Sequence, residues 1–132
     1  MADTFDYFRE DTIAALSTPA GRGAIAVIRV SGEEAFPLIG GICPSLRWKP
    51  REASLTWVEI DREYIDEVLA ICFPSPHSYT GEDVVEISCH GSGAIVRSIL
   101  SELCSRRARV AQPGEFTLRA VRNHKLDIVR AQ

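Results

Sequence analysis

DTIAALSTPAGRGAIAVIRVSG, residues 11–32, is the stretch on which the fold turns. Residues 12–18 (TIAALST) read as a short strand. Residues 24–30 (AIAVIRV) are a nearly unbroken apolar run rich in β-branched side chains, the pattern of a strand buried on both faces. Between them, Pro19-Ala20-Gly21-Arg22-Gly23 is turn chemistry, because proline fixes φ and glycine admits φ > 0. Strand, turn and strand make a β-hairpin, and strands joined by so short a link pair antiparallel.

Working outward, Ser31 followed by Glu33 and Glu34 predicts an N-capped helix that runs to about Gly40-Gly41. Residues 42–52 read as a loop. Residues 53–60 (ASLTWVEI) and 65–73 (IDEVLAICF) are two strands, and Asp61-Arg62-Glu63 is their tight connection. Residues 74–81 (PSPHSYTG) are irregular, and 83–89 (DVVEISC) are the next strand. Gly91-Ser92-Gly93 opens a helix from about 94 to 105, with Ile95, Ile99, Leu100 and Leu103 on one face. Residues 108–111 form a short strand, and Pro113-Gly114-Glu115 starts a third helix. The order is β2-α-β3-α-β-α. This is an α+β fold with a mostly antiparallel sheet and about three helices. The last residues, 126–132 (LDIVRAQ), are helix-prone without a stop signal, so a helix is expected to continue there.

A chain of 132 residues suits one domain. No apolar run approaches the roughly 20 residues of a membrane helix. Asp3, Asp6, Glu10 and Asp11 against Arg9 are the opposite of a secretory leader, so the cytoplasm is expected. Cys43, Cys72, Cys89 and Cys104 include no CxxC pair, which disfavours a zinc site or a redox dithiol. Charge is unevenly spread. Residues 97–132 carry Arg97, Arg106, Arg107, Arg109, Arg119, Arg122, Lys125 and Arg130 against three acids. Such a segment attracts polyanions, but without interleaved aromatics a solvated surface or an intramolecular partner fits equally well.

Three residues stand out as candidates for binding. Arg29 and Glu86 each interrupt an apolar strand, and a buried charge needs a partner or a polar opening. They either pair with each other structurally or line a pocket. Alternation puts Val85, Ile87 and Cys89 on one face of their strand and Glu86 on the other. Lys125 lies in the final segment, where solvation is its ordinary state. No GxxxxGK[ST] loop occurs, so the chain carries no Walker-type nucleotide site. Ser88, Cys89 and His90 are strand neighbours whose side chains diverge, which argues against a catalytic Cys-His pair.

Residues 11–32, 76–91 (PHSYTGEDVVEISCHG) and 113–132 (PGEFTLRAVRNHKLDIVRAQ) together resemble the N-terminal domain of the MnmE/TrmE family of tRNA-modification GTPases. Departures from that pattern include Ser92, Gln112, Leu118, Val121 and Arg122. The resemblance implies a folate-binding, aminomethyltransferase-like domain over 11–124. It makes 1–10 an N-terminal extension and 125–132 the start of a truncated helical domain. It implies 5-formyltetrahydrofolate or a related reduced folate at Arg29, Glu86 and Lys125, and a homodimer. It implies no metal or catalytic residue in this fragment. In the full-length protein it implies GTP, Mg²⁺ and K⁺, an FAD-containing partner of the MnmG/GidA type and tRNA, with no membrane. Two other readings remain: a stand-alone dimerisation module and a folate-dependent aminomethyltransferase-like domain, whose own chains are much longer.

Overall fold

The computed structural model describes residues 10–18 and 24–125. The expected turn at 19–23, the helix-prone end at 126–132 and most of the N-terminal extension lie outside the described residues. The elements are β1 (Ile13–Leu16), β2 (Ile25–Ser31), α1 (Ala35–Ile42), β3 (Ser54–Ile60), β4 (Glu63–Phe73), β5 (Val84–His90), α2 (Gly93–Ser105), β6 (Arg109–Val110) and α3 (Glu115–Arg122). Six strands form one mixed sheet in the order β3-β4-β5-β2-β1-β6. β1–β2, β2–β5, β3–β4 and β4–β5 are antiparallel, and β1–β6 is parallel. A mixed α+β sheet results, with β6 as its parallel edge.

The sheet has two unlike faces. On one, Ala26, Ile28 and Val30 of β2 and Val85, Ile87 and Cys89 of β5 are buried. They share a core with Leu38, Ile39 and Ile42 of α1 and Ile99 and Leu103 of α2. That core comes from period-2 alternation in the strands meeting period-3.6 stripes on the helices. On the other face, Ile25 is exposed and Val27 and Arg29 are half-buried. The expectation that β2 is buried on both faces therefore fails. Ile25 and Val27 face the sheet's open side, and the strand's apolar run reflects its central place in the sheet.

Ser31 is likewise not the cap of α1. The helix starts at Ala35 with Glu34 as its boundary, and Ser31 ends β2. Its hydroxyl meets Thr80 Oγ1 at 2.8 Å and donates to Glu82 Oε1 at 2.7 Å. The Glu34 N–H is received instead by Thr12 Oγ1 at 2.9 Å. Gly32 between them has φ +140°, and a Cβ there would lie 2.4 Å from Thr12 Oγ1. Only glycine lets the chain leave β2 against β1 in this way. The helix also runs through Gly40 and Gly41 rather than stopping at them.

Candidate functional site

Arg29 and Glu86 are brought together by strand register. They are directly opposed across the β2–β5 ladder. Arg29 Nε donates to Glu86 Oε2 at 3.0 Å, and Nη2 lies 2.9 Å from the same oxygen. The side chains keep 21% and 26% of their surface exposed. Both Arg29 contacts thus fall on one carboxylate oxygen. Glu86 Oε1 and Arg29 Nη1 have no partner among the described residues, which leaves one acceptor and one donor of the pair unused. Ala15 is opposite Arg29, and Ile71 is opposite Glu86. Val27 and Ser88 are paired two residues along, the next pair on the same face.

Two aromatic rings frame this pair. The Arg29 guanidinium carbon lies 4.9 Å from the Tyr79 ring centroid and 5.3 Å from that of Phe116. Tyr79 belongs to the loop before β5 and Phe116 to the first turn of α3. The Tyr79 hydroxyl meets Thr117 Oγ1 at 2.8 Å, tying loop to helix. Neither ring was singled out in the sequence. Aromatic residues in a loop and on a helix are commonplace, and only the tertiary fold aims them at Arg29.

Lys125 does not join them. It is exposed, donates its backbone N–H to Ala120 O at 2.8 Å, and packs its side chain near Gly81. Among the described residues no contact links it to Arg29 or Glu86.

Beside the pair, a charge network anchors α3. Arg109 donates to both Asp11 oxygens at 2.7 and 3.0 Å and to both Glu115 oxygens at 3.0 and 2.7 Å. Arg119, fully buried, bonds Glu82 at 3.1 Å and Asp11 at 3.0 Å and faces Glu115 at 3.5 Å. Burial pushes the Glu115 carboxyl up. The Arg109 hydrogen bonds, the Gln112 N–H and the charges of Arg109 and Arg119 outweigh it and hold the group below its ordinary value. Hydrogen bonds donated to Asp11, then to Glu115, raise Arg109 above its own. The basic C-terminal third thus finds much of its partner inside the molecule. Arg106 also pairs with Glu102, at 2.7 Å.

Other chemistry is sparse. All four cysteines are free, and burial raises each thiol, Cys43 to about 12 with help from the Glu59 charge. Such thiols are poor nucleophiles. No group of His, Cys, Asp and Glu able to hold a metal occurs among the described residues. His90 Nδ1 lies 2.6 Å from Asp66 Oδ1 and its N–H donates to Oδ2 at 2.8 Å, which fixes the end of β5. An apolar cleft of about 480 Å³ lined by Phe36, Trp48, Cys72 and Pro74 shares no residue with the charged pair. No described helix is long and apolar enough to cross a membrane.

The fold is a mixed α+β sheet with α1 and α2 packed on one face and the Arg29–Glu86 pair set in the other. The family described as "GTP-binding protein TrmE N-terminus" matches residues 12–125. The chain is 46% identical over 127 residues to the tRNA modification GTPase MnmE of Endomicrobium trichonymphae, covering 96% of this chain and 28% of that protein. It is 47% identical over 124 residues to the protein of the same name from Pseudothermotoga lettingae, covering 92% and 28%. The one from Laribacter hongkongensis is 46% identical over 123 residues, covering 92% and 27%. The chain belongs to the MnmE/TrmE N-terminal domain family. It spans little more than a quarter of the length of these relatives.

Proposed function

We propose that this chain is the reduced-folate-binding, dimerising N-terminal domain of a GTPase. With an FAD-containing partner of the MnmG/GidA type, that GTPase modifies C5 of the wobble uridine, position 34, of tRNA. The observation that carries the folate reading is the half-used Arg29–Glu86 pair. A pterin edge offers an amino group and a ring N–H side by side, next to a carbonyl. Glu86 Oε1 is an unused acceptor and Arg29 Nη1 an unused donor among the described residues, on a pair about one-quarter exposed. These groups fit 5-formyltetrahydrofolate, which brings a one-carbon unit when bound. Lys125 is assigned to the same ligand and would reach its more distant oxygens. The binding unit is 11–124, and 125–132 begin a helical domain. GTP, Mg²⁺ and K⁺ belong to parts of the longer protein beyond this span. So does catalysis, and the cytoplasm is its compartment.

Dimerisation draws support from the open face. Ile25, Leu55, Trp57 and Leu69 are all exposed there, and pairings of Leu55 with Leu69 and Trp57 with Glu67 put them on the side that carries Glu86. Exposed apolar residues grouped on one face are the kind of surface a second copy of the chain would cover. Light scattering at tens of micromolar, with and without folate, reads the assembly.

The test of the ligand site is Glu86→Ala, titrated with 5-formyltetrahydrofolate by calorimetry. Loss of two charge-assisted hydrogen bonds weakens binding on the order of 100-fold or more. Because the pair is partly solvated, its loss costs only about 0–1 kcal/mol of stability. A variant that binds folate like wild type but melts many degrees earlier makes Glu86 structural and removes the site.

A further inference from the structure

We infer that Tyr79 and Phe116 are positioning residues for the binding site, holding the Arg29 guanidinium against Glu86 in one orientation and so fixing where its unused Nη1 donor points. The inference rests on the folate reading above and extends it to two residues outside the assigned ligand set. An arginine on a strand has a long, rotatable stem, and ordering it costs up to about 2 kcal/mol. The Glu86 contacts reach only Nε and Nη2, and both meet one oxygen. That leaves the guanidinium able to pivot about the shared oxygen. Ring centroids at 4.9 Å and 5.3 Å restrict the pivot, because the planar cation gains most by lying against the electron-rich ring faces.

Each ring is itself held. Tyr79 is 41% exposed and would be free to swing, but its hydroxyl is fastened to Thr117. Phe116 sits between Glu115 and Thr117. Glu115 is buried in the charge network, so the ring stands on a fixed helix turn. The loop and α3 thus converge on one guanidinium from two parts of the chain.

The experiment compares Tyr79→Leu and Phe116→Leu with Tyr79→Phe. Each is titrated with 5-formyltetrahydrofolate in the wild-type background and in Arg29→Lys, with melting temperatures recorded. The leucine variants should weaken binding roughly 3- to 30-fold, the scale of a partly desolvated cation–π contact. Tyr79→Phe keeps the ring and should stay within about threefold of wild type. In Arg29→Lys, which has no guanidinium plane to orient, the leucine changes should cost nothing further. A loss of equal size in both backgrounds overturns the inference, because the rings then act independently of Arg29. Unchanged affinity with a lowered melting temperature also overturns it and makes the rings structural. Wild-type protein that binds no folate overturns the folate reading and this inference with it, whereas the preceding results leave the folate reading standing. Tyr79→Leu alters the more exposed ring, so it decides the question even where Phe116→Leu does not fold.

Discussion

Replacing Arg119 by methionine removes one charge from the centre of the α3 network while keeping most of the side-chain length. Arg119 is fully buried, and it lies 3.0 Å from Asp11, 3.1 Å from Glu82 and 3.5 Å from Glu115. Removing one partner of a buried ion pair costs about 3–5 kcal/mol, because the remaining charges stay desolvated. Here two cations soften the loss. Arg109 still bonds Asp11 and Glu115, and Arg122 lies 3.8 Å from Glu82. The expected cost is therefore near the lower end, about 3 kcal/mol. For a chain of this size that is a fall in melting temperature of roughly 10 °C. Urea unfolding followed by circular dichroism measures it as a lower midpoint at unchanged slope. Arg106→Met is the control. It breaks the surface Arg106–Glu102 pair, worth about 0.3–0.5 kcal/mol. If Arg119→Met costs less than about 1 kcal/mol, an apolar side chain serves as well as the network, and its role as the anchor of α3 is wrong.

Two further outcomes follow from named groups. Glu115 has its folded-state pKa held below the unfolded value. Its contribution is therefore fully present above the unfolded value near about 4.3 and disappears as pH falls through the folded one. Wild type should lose stability more steeply than Glu115→Gln on going from about pH 5 to pH 2, as read by melting temperature across that range. Gly32→Ala should lower stability by about 2–5 kcal/mol. It combines backbone strain at φ +140° with overpacking against Thr12, and a thermal melt within about 2 °C of wild type would contradict this.

The sequence was most legible where pattern and geometry coincide. The apolar stripe Ile95, Ile99, Leu100, Leu103 places α2, and Ile99 and Leu103 are its fully buried members. Strand alternation puts Glu86 opposite in sense to Val85 and Ile87, and the core indeed takes Val85 and Ile87. Arg29 and Glu86 were each visible as a charge inside an apolar run. What sequence withholds is register, because neither strand encodes which residue of the other it faces. The charge network is harder still. Asp11, Glu82, Arg109 and Glu115 are scattered along the chain, and only the Glu115–Arg119 spacing of four carries a local signal. Ser31 misled for the opposite reason. A serine before two acids looks like a helix cap, but tertiary partners at Thr80 and Glu82 claim its hydroxyl, and Thr12 from the neighbouring strand receives the amide N–H instead. Local propensity lost to a contact made 49 residues away.

The two faces of the sheet divide the work of the domain, and α3 joins them. Helices α1 and α2 bury one face and supply the hydrophobic core. On the other face, α3 is held mainly by charge. Its Glu115 and Arg119 are buried, yet its neighbours Phe116 and Thr117 turn toward Arg29 and Tyr79. An amphipathic helix ordinarily buries an apolar stripe, which tolerates sliding because dispersion contacts are non-directional. Ion pairs with bidentate arginine geometry are directional, so they fix the helix in rotation as well as position. That is the physical reason for anchoring this short helix with three carboxylates, Asp11, Glu82 and Glu115, and two arginines rather than with leucines. The Phe116 ring against the Arg29 guanidinium takes its place from that anchor, because the residue before it in sequence, Glu115, is buried and bonded to Arg109.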